Sequence, residues 1–153
     1  MHAIEEFWGR CCARAGGVDA GAGYRVRRIG NTQQLSRNLL RLIARGEKTG
    51  LFSNPAELDP VPAAGEYFIF TDCAGEPRCV VRLTESRVLR FDEVGPQETA
   101  CESPAARDVE AWRRIHGRYW QEVCAAAGRE FSKEMPLLFQ RFELDCAEDG
   151  LAD

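Results

Sequence analysis

Apolar residues recur every three or four positions in three stretches of the chain, which predicts three amphipathic helices. The first helix carries one apolar face made of Ile4, Phe7, Trp8 and Cys11. The second is capped by Asn31 or Thr32 and ends at Gly46. The third begins at Ser103, because a capping serine followed by Pro104 at the first helical position is typical of a helix start.

Five other stretches have the pattern of β-strands. Residues 24–29 alternate enough for a short strand, 48–53 form a loop that enters a strand, and 66–72 form a buried strand. A long strand, or a bent pair, is expected over 78–91, and a last strand over 136–146. Because several strands are close enough to pair as hairpins, the order favours an α+β fold with a mostly antiparallel sheet that can close on itself.

Length and composition fit one domain. The chain has 153 residues, of which 44% are hydrophobic and 29% charged, so it can bury a core without a structural metal. No run of about 18 apolar residues occurs, and residues 1–6 lack a basic segment followed by an apolar one, so neither a membrane span nor a secretory signal is predicted. We expect a single domain over 1–153, with a helix over 2–15 packed on it and an acidic tail over 147–153.

Cysteine and histidine usage bears on location and cofactors. The seven cysteines are an odd number without a C-x-x-C pair, so a disulfide framework is not expected and a reducing cytoplasm is the predicted location. The only histidines are His2 and His116, and neither has zinc-ligand spacing to a cysteine. No cofactor is therefore predicted, although a divalent metal that assists catalysis stays open.

Positive charge is concentrated in one segment of an otherwise acidic chain. Net charge is −4, yet residues 25–48 hold many of the basic side chains. Arg37, Arg41 and Arg45 are four apart on the second helix and therefore form a stripe. This stripe can follow a phosphate backbone toward Lys48; a solvated helix face is the alternative.

The segment Leu39-Leu-Arg-Leu-Ile-Ala-Arg-Gly-Glu-Lys-Thr-Gly-Leu-Phe-Ser53 resembles the signature of the ASCH domain, a helix followed by G-x-K-x-x-T and a strand. Further motifs in matching order extend the resemblance over nearly the whole chain, among them 5–8, 65–67, 91–94, 128–136 and 140–144. The resemblance implies a small, mostly antiparallel PUA-like β-barrel with helices around a cleft. It also implies work on RNA or nucleotides, with one family branch that removes the acyl group of acetylcytidine and another that cleaves RNA.

The resemblance assigns catalytic roles to three residues. Lys48 matches the lysine of G-x-K; it can hold a phosphate or, if desolvated, act as a base, and a solvent-facing lysine is the alternative. Glu102 aligns with an acid/base position of the deacylating branch, and a glutamate that complements a helix dipole is the alternative. Ser132 matches a pocket serine, and a turn serine is the alternative.

A second set is predicted to bind the substrate. Its hydroxyl groups follow the motif lysine, its aromatic and imidazole rings are four apart on one helix face and can stack a base, and its arginines belong to the stripe. These residues are Thr49, Ser53, Trp112, His116, Arg45 and Arg41.

Leu51 and Glu47 depart from the family pattern. Threonine is usual at position 51 and acts in the deacylating branch, but leucine has no hydroxyl. A basic residue is usual at position 47, and a carboxylate lowers the positive potential there. We therefore predict an RNA- or nucleotide-binding protein that, if an enzyme, is a hydrolase, and more a ribonuclease than an acetylcytidine amidohydrolase. A non-catalytic module for RNA or modified nucleotides is the alternative, and oligomeric state is not predicted.

Overall fold

The computed structural model describes residues 2–14 and 18–153. The helices in these ranges are α1 (His2–Ala13), α2 (Gln33–Ala44), α3 (Pro96–Thr99) and α4 (Val109–Ala126). The strands are β1 (Tyr24–Arg28), β2 (Gly50–Ser53), β3 (Tyr67–Thr71), β4 (Pro77–Arg90) and β5 (Pro136–Ala147). The predicted end of the first helix at residue 15 lies outside the described residues.

The strands form one five-stranded sheet in the order β1-β3-β4-β5-β2. β1 pairs in parallel with β3, and the other neighbours pair antiparallel. The longest ladder joins β4 and β5, from Cys79 opposite Ala147 to Arg90 opposite Pro136. The predicted α+β class and the mostly antiparallel sheet are therefore confirmed.

The sheet stays open, so the predicted closed barrel is wrong. β1 and β2 are the two edge strands, and no ladder joins them in the described part of the chain. Instead, the Arg27 guanidinium of β1 donates a hydrogen bond to the Phe52 carbonyl of β2 at 3.2 Å. Desolvation by burial lowers the pKa of Arg27. A side chain thus spans the gap that backbone hydrogen bonds would fill in a barrel.

Apolar side chains pack on both faces of the sheet. α2 contributes Leu40 and Ile43 to a cluster that includes Leu51 of β2. α4 contributes Trp112 to another cluster, which includes Phe52 of the same strand. Since neighbouring strand residues point to opposite faces, β2 joins both layers. A further cluster holds α1 against β3, β4 and β5 through Phe7, Cys11, Ile69, Val80 and Cys146.

Helix caps confirm one predicted boundary and correct another. Thr32 caps α2, because its hydroxyl accepts a hydrogen bond from the Leu35 N–H at 3.1 Å. Ser103 does not start the long helix: Pro104–Ala106 is a short 3-10 turn. α4 begins after Asp108, whose carboxylate accepts from the Ala111 N–H at 3.0 Å. A better cap a few residues later therefore sets the start.

A disulfide joins Cys11 of α1 to Cys146 of β5. The expectation that the cysteines are unpaired is therefore wrong for this pair, which the packing of α1 on the sheet brings together across 135 residues of sequence. The cytoplasmic location, which rested partly on that expectation, stays a prediction. None of the helices in the described ranges combines the length and apolarity needed to cross a membrane.

Gly50 lets β2 approach its neighbours closely. A Cβ at this position would lie 2.8 Å from Cys101 Cβ and 3.0 Å from the Gln140 carbonyl oxygen. We expect Gly50→Ala to lower the free energy of unfolding by about 1–3 kcal/mol, because the strand must shift to admit the methyl group. Urea denaturation measures the change. Gly9→Ala on α1, where a Cβ meets nothing within 4 Å, is the matched control and is expected to leave stability unchanged or raise it; equal stability of the two variants would contradict the close approach.

Candidate functional site

Three parts of the chain that are far apart in sequence meet beside the C-terminal end of α2. The Lys48 N–H donates to the Leu42 carbonyl at 3.2 Å, and this hydrogen bond ties the residues after α2 to its last turn. The next N–H, of Thr49, donates to the Cys101 carbonyl at 2.9 Å. This backbone bond sets the motif lysine beside the segment that follows α3 and carries Glu102.

Glu102 is the centre of the site. Its carboxylate pairs with the Lys48 amine through Oε1, and both side chains are buried, with 4% and 8% of their surface exposed. Its Oε2 accepts from the Trp112 indole N–H at 3.2 Å and lies 2.9 Å from His116 Nε2. One carboxylate therefore joins the amine of the segment after α2 to the indole and the imidazole of α4. We call Lys48, Glu102, Trp112 and His116 the Lys48–Glu102 cluster.

The electrostatics of the cluster favour an ionised carboxylate. Burial alone would raise the pKa of Glu102, but the positive charge of Lys48 and the hydrogen bond from His116 outweigh it and hold this pKa at about 2. At neutral pH Glu102 is therefore a carboxylate.

Trp112 and His116 are stacked one turn apart on α4. Their ring centroids are 4.6 Å apart, and the planes differ by 14°. Trp112 is fully buried, so it cannot present a face to a nucleobase; it orients Glu102 instead. His116 is the member nearest to solvent, with 22% of its side chain exposed. Its second ring nitrogen, Nδ1, lies 3.3 Å from the Trp112 carbonyl oxygen.

Arg107 holds the two segments of the site together, and sequence reasoning missed it. Its Nε donates to the Glu102 carbonyl at 3.0 Å, and its Nη2 donates to the Glu47 carbonyl. The guanidinium thus links the residue before Lys48 to Glu102. An isolated arginine in a polar segment carries no sequence signal for such a contact.

The remaining predicted site residues lie apart from the cluster or outside its hydrogen bonds. Ser132 is exposed, and its hydroxyl accepts from the Glu134 N–H at 3.1 Å, as a turn serine does. In the part of the chain that the structure describes, no hydrogen bond joins Ser132 to Lys48 or Glu102. Thr49 is exposed, whereas Ser53 is buried, and its hydroxyl has no hydrogen-bond partner among the residues that the structure describes. Ser53 follows Phe52 in β2 and therefore points to the opposite face of the sheet.

The arginine stripe faces the acidic tail. Arg45 Nε donates to the Ala152 carbonyl at 2.6 Å. Arg41 lines a cavity of about 320 Å³ together with Asp149 and Asp153. The route along which a phosphate backbone was expected to approach Lys48 is therefore partly occupied by the chain's own residues.

Metal ligands are not grouped at this site. Among residues 2–14 and 18–153, no set of three or more histidine, cysteine, aspartate or glutamate side chains is placed to hold a metal ion.

An open, mostly antiparallel sheet between α2 and α4, with the Lys48–Glu102 pair at the end of α2, defines an α+β domain. The family model described as the ASCH domain matches residues 26–144, and the chain belongs to that family. The family resemblance seen in the sequence motifs is thus confirmed.

Solved structures share the fold. An ASCH domain from Lactobacillus crispatus JV V101 superposes with a TM-score of 0.76 at 18% identity, covering 95% of this chain and 92% of that one. A protein from Enterococcus faecalis V583 superposes with a TM-score of 0.79 at 21% identity, covering 97% of this chain and 95% of that one. No curated protein matches the sequence. At these identities, the likeness shows the fold alone.

Proposed function

We propose that this protein binds RNA or a nucleotide at the Lys48–Glu102 cluster. The observation that carries the proposal is the convergence of a buried amine, a buried carboxylate and a partly exposed imidazole from three segments of the chain. Family membership supports the choice of ligand, because the ASCH resemblance implies RNA or nucleotide work.

Stability alone does not explain why a protein has a buried ion pair. Removing two charges from water costs several kcal/mol for each ion, and well-packed apolar residues of similar volume often stabilise a protein as much or more. Lys48 and Glu102 are both less than a tenth exposed. Such pairs with a strongly shifted pKa cluster at functional sites, which favours a binding role for this one.

The arrangement suits binding of a nucleotide more than proton transfer. Both ring nitrogens of His116 already face oxygen atoms, of Glu102 and of Trp112. The ring face turned away from Trp112 can stack a base, as aromatic and histidine rings do in RNA-binding proteins. The Lys48 ammonium then supplies the positive charge that attracts the phosphate.

Deacylation of acetylcytidine has no support in the site. Leu51 occupies the position where the deacylating branch has threonine, and its side chain is part of the core cluster under α2. Ser53 points to the same face as Leu51 but lies two residues farther along β2. We therefore set this activity aside.

Ribonuclease activity is the second candidate. A carboxylate 2.9 Å from an imidazole is the pairing that orients a general base, and the Lys48 charge can stabilise a phosphate in the transition state. For this role a nitrogen of His116 must exchange its present partner for the RNA 2′-hydroxyl. This candidate differs from pure binding in one observable, the appearance of shorter RNA.

Two assays on the same samples test the proposal. A fluorescently labelled single-stranded RNA of about ten nucleotides is titrated with wild type at increasing salt, and its length is then checked on a denaturing gel. We expect binding that weakens steeply as salt rises, since phosphate contacts release counterions. Cleavage by wild type but not by Lys48→Met/Glu102→Gln, which leaves no unpaired buried charge and is checked for folding by circular dichroism, would establish the ribonuclease. If neither RNA nor a mononucleotide binds at low salt, the proposed function is wrong.

A further inference from the structure

A groove of about 660 Å³ runs along the side of α4 that faces residues 131–133. Its lining includes Phe91, Gly117 and Phe131 on the floor and Arg114 and Lys133 on the rim. The volume is that of a typical small-molecule site. The groove lies outside the Lys48–Glu102 cluster and shares no residue with it.

The floor of the groove is aromatic. Phe131 is half-buried and meets the Phe91 ring edge-on, with centroids 5.1 Å apart and planes at 90°. Gly117 keeps the floor open, because a Cβ there would lie 3.6 Å from Phe91 Cζ and would occupy part of the space. Part of the Phe131 ring therefore remains exposed and can contact a planar ligand.

The rim keeps a net positive charge, because its two carboxylates are already neutralised by ion pairs with arginines. The Glu110 carboxylate pairs with Arg113 at 3.2 Å, and the Asp92 carboxylate pairs with Arg90 at 2.9 Å. Arg114 and Lys133 are exposed, and no ion pair among residues 2–14 and 18–153 includes either of them. These two cations leave the groove suited to an anion.

A row of aromatic rings connects the groove to the cluster. Successive centroids from Phe131 to Phe91, Trp112 and His116 are 5.1, 5.1 and 4.6 Å apart. The two sites thus flank one aromatic layer at the same part of the molecule. A strand of several nucleotides, the span that single-stranded RNA-binding folds cover, reaches from one to the other.

We infer that this groove is a second nucleotide subsite, in which a base of single-stranded RNA stacks on Phe131 while Arg114 and Lys133 hold its phosphate. The inference rests on the proposed function, because the same RNA strand occupies the cluster. Base–aromatic stacking contributes roughly 1–3 kcal/mol for each base, and lysine or arginine contacts to phosphate add a salt-dependent part. If the groove instead bound a protein segment, the affinity of the protein for RNA would not rise with the length of the RNA through contacts in the groove.

The test compares a single nucleotide with a short strand. Binding of adenosine monophosphate and of a single-stranded RNA of about ten nucleotides is measured for wild type, Phe131→Leu and the double variant Arg114→Glu/Lys133→Glu. Leucine keeps apolar contact with Phe91 but removes the stacking face, so the fold is retained. Arg14→Glu, a charge reversal at an exposed arginine just after α1, is the control for a general effect of surface charge.

We expect both groove variants to bind the RNA about tenfold more weakly and the mononucleotide as wild type does, with Arg14→Glu unchanged for both. Equal affinities of wild type and both groove variants for the RNA would overturn the subsite. Loss of mononucleotide binding in Phe131→Leu would also overturn it, because the groove would then be the primary site. Failure of wild type to bind either ligand would instead reject the proposed function, which separates the two cases.

Discussion

Replacing Lys48 with methionine is expected to lower the free energy of unfolding by about 3–5 kcal/mol, an unusually large effect for one substitution. Methionine fills most of the space of the lysine stem but leaves the Glu102 carboxylate, on a side chain only 4% exposed, without the positive charge of Lys48. An uncompensated buried charge costs more than the lost ion pair is worth. Urea denaturation at neutral pH measures the change.

A second substitution distinguishes the charge effect from simple loss of packing. Lys48→Met/Glu102→Gln removes both charges, yet the glutamine oxygen can still accept the hydrogen bond from Trp112. We expect the double variant to recover at least half of the stability lost by Lys48→Met, as apolar or neutral replacements of buried pairs do. Lys133→Met, at an exposed lysine, is the control and should change stability by less than about 0.5 kcal/mol. A double variant no more stable than Lys48→Met would contradict the pairing.

Lowering the pH should reduce the free energy of unfolding, because Glu102 becomes protonated. Its folded pKa of about 2 lies below the ordinary value of 4.5, so the carboxylate stabilises the fold at pH values above 4.5. This stabilisation is lost as pH falls from 4.5 toward 2, and it amounts to a free energy on the order of 3 kcal/mol. Glu102→Gln lacks the titrating group and therefore lacks this contribution.

The stability difference between wild type and Glu102→Gln should thus narrow as the pH is lowered from about 6 to about 3. Comparing the two proteins cancels the titration of other carboxylates that both retain. Glu110→Gln, which alters a glutamate with 80% of its side chain exposed, should keep the wild-type pH dependence. Parallel curves for wild type and Glu102→Gln would show that Glu102 is not held ionised by its partners.

Local sequence signals predicted most of the fold. The apolar spacing of residues 33–44 and the Thr32 cap predict α2. Alternation predicts β1, whereas β3 is predicted as a buried apolar run, and β2 only as a strand that follows the Lys48 loop. Closure of the sheet could not be read from the sequence, because it depends on whether two edge strands meet, and here the Arg27 side chain bridges them. The start of α4 was misplaced because Ser103 and Asp108 are both residue types that cap helices, and only the structure shows that Asp108 accepts the capping hydrogen bond.

Within the site, the sequence identified the chemical groups better than their surroundings. Lys48 and Glu102 were chosen by motif, and the structure pairs them. Trp112 was expected to face a ligand, yet the 3.6-residue helical period cannot tell whether a ring beside His116 lies inside or outside the protein. Arg107 was missed because its two contacts are to backbone carbonyls of distant segments, which no side-chain pattern records.

RNA binding by the charge-neutral double variant Lys48→Met/Glu102→Gln tests the central claim most directly, since its expected recovery of stability separates loss of function from loss of fold. Fluorescence anisotropy with a single-stranded RNA of about ten nucleotides, at low salt, provides the measurement. We expect the folded double variant to bind at least about tenfold more weakly than wild type, because a charge-assisted contact to phosphate is lost. Unchanged affinity in a folded double variant would show that the buried pair takes no part in recognising RNA.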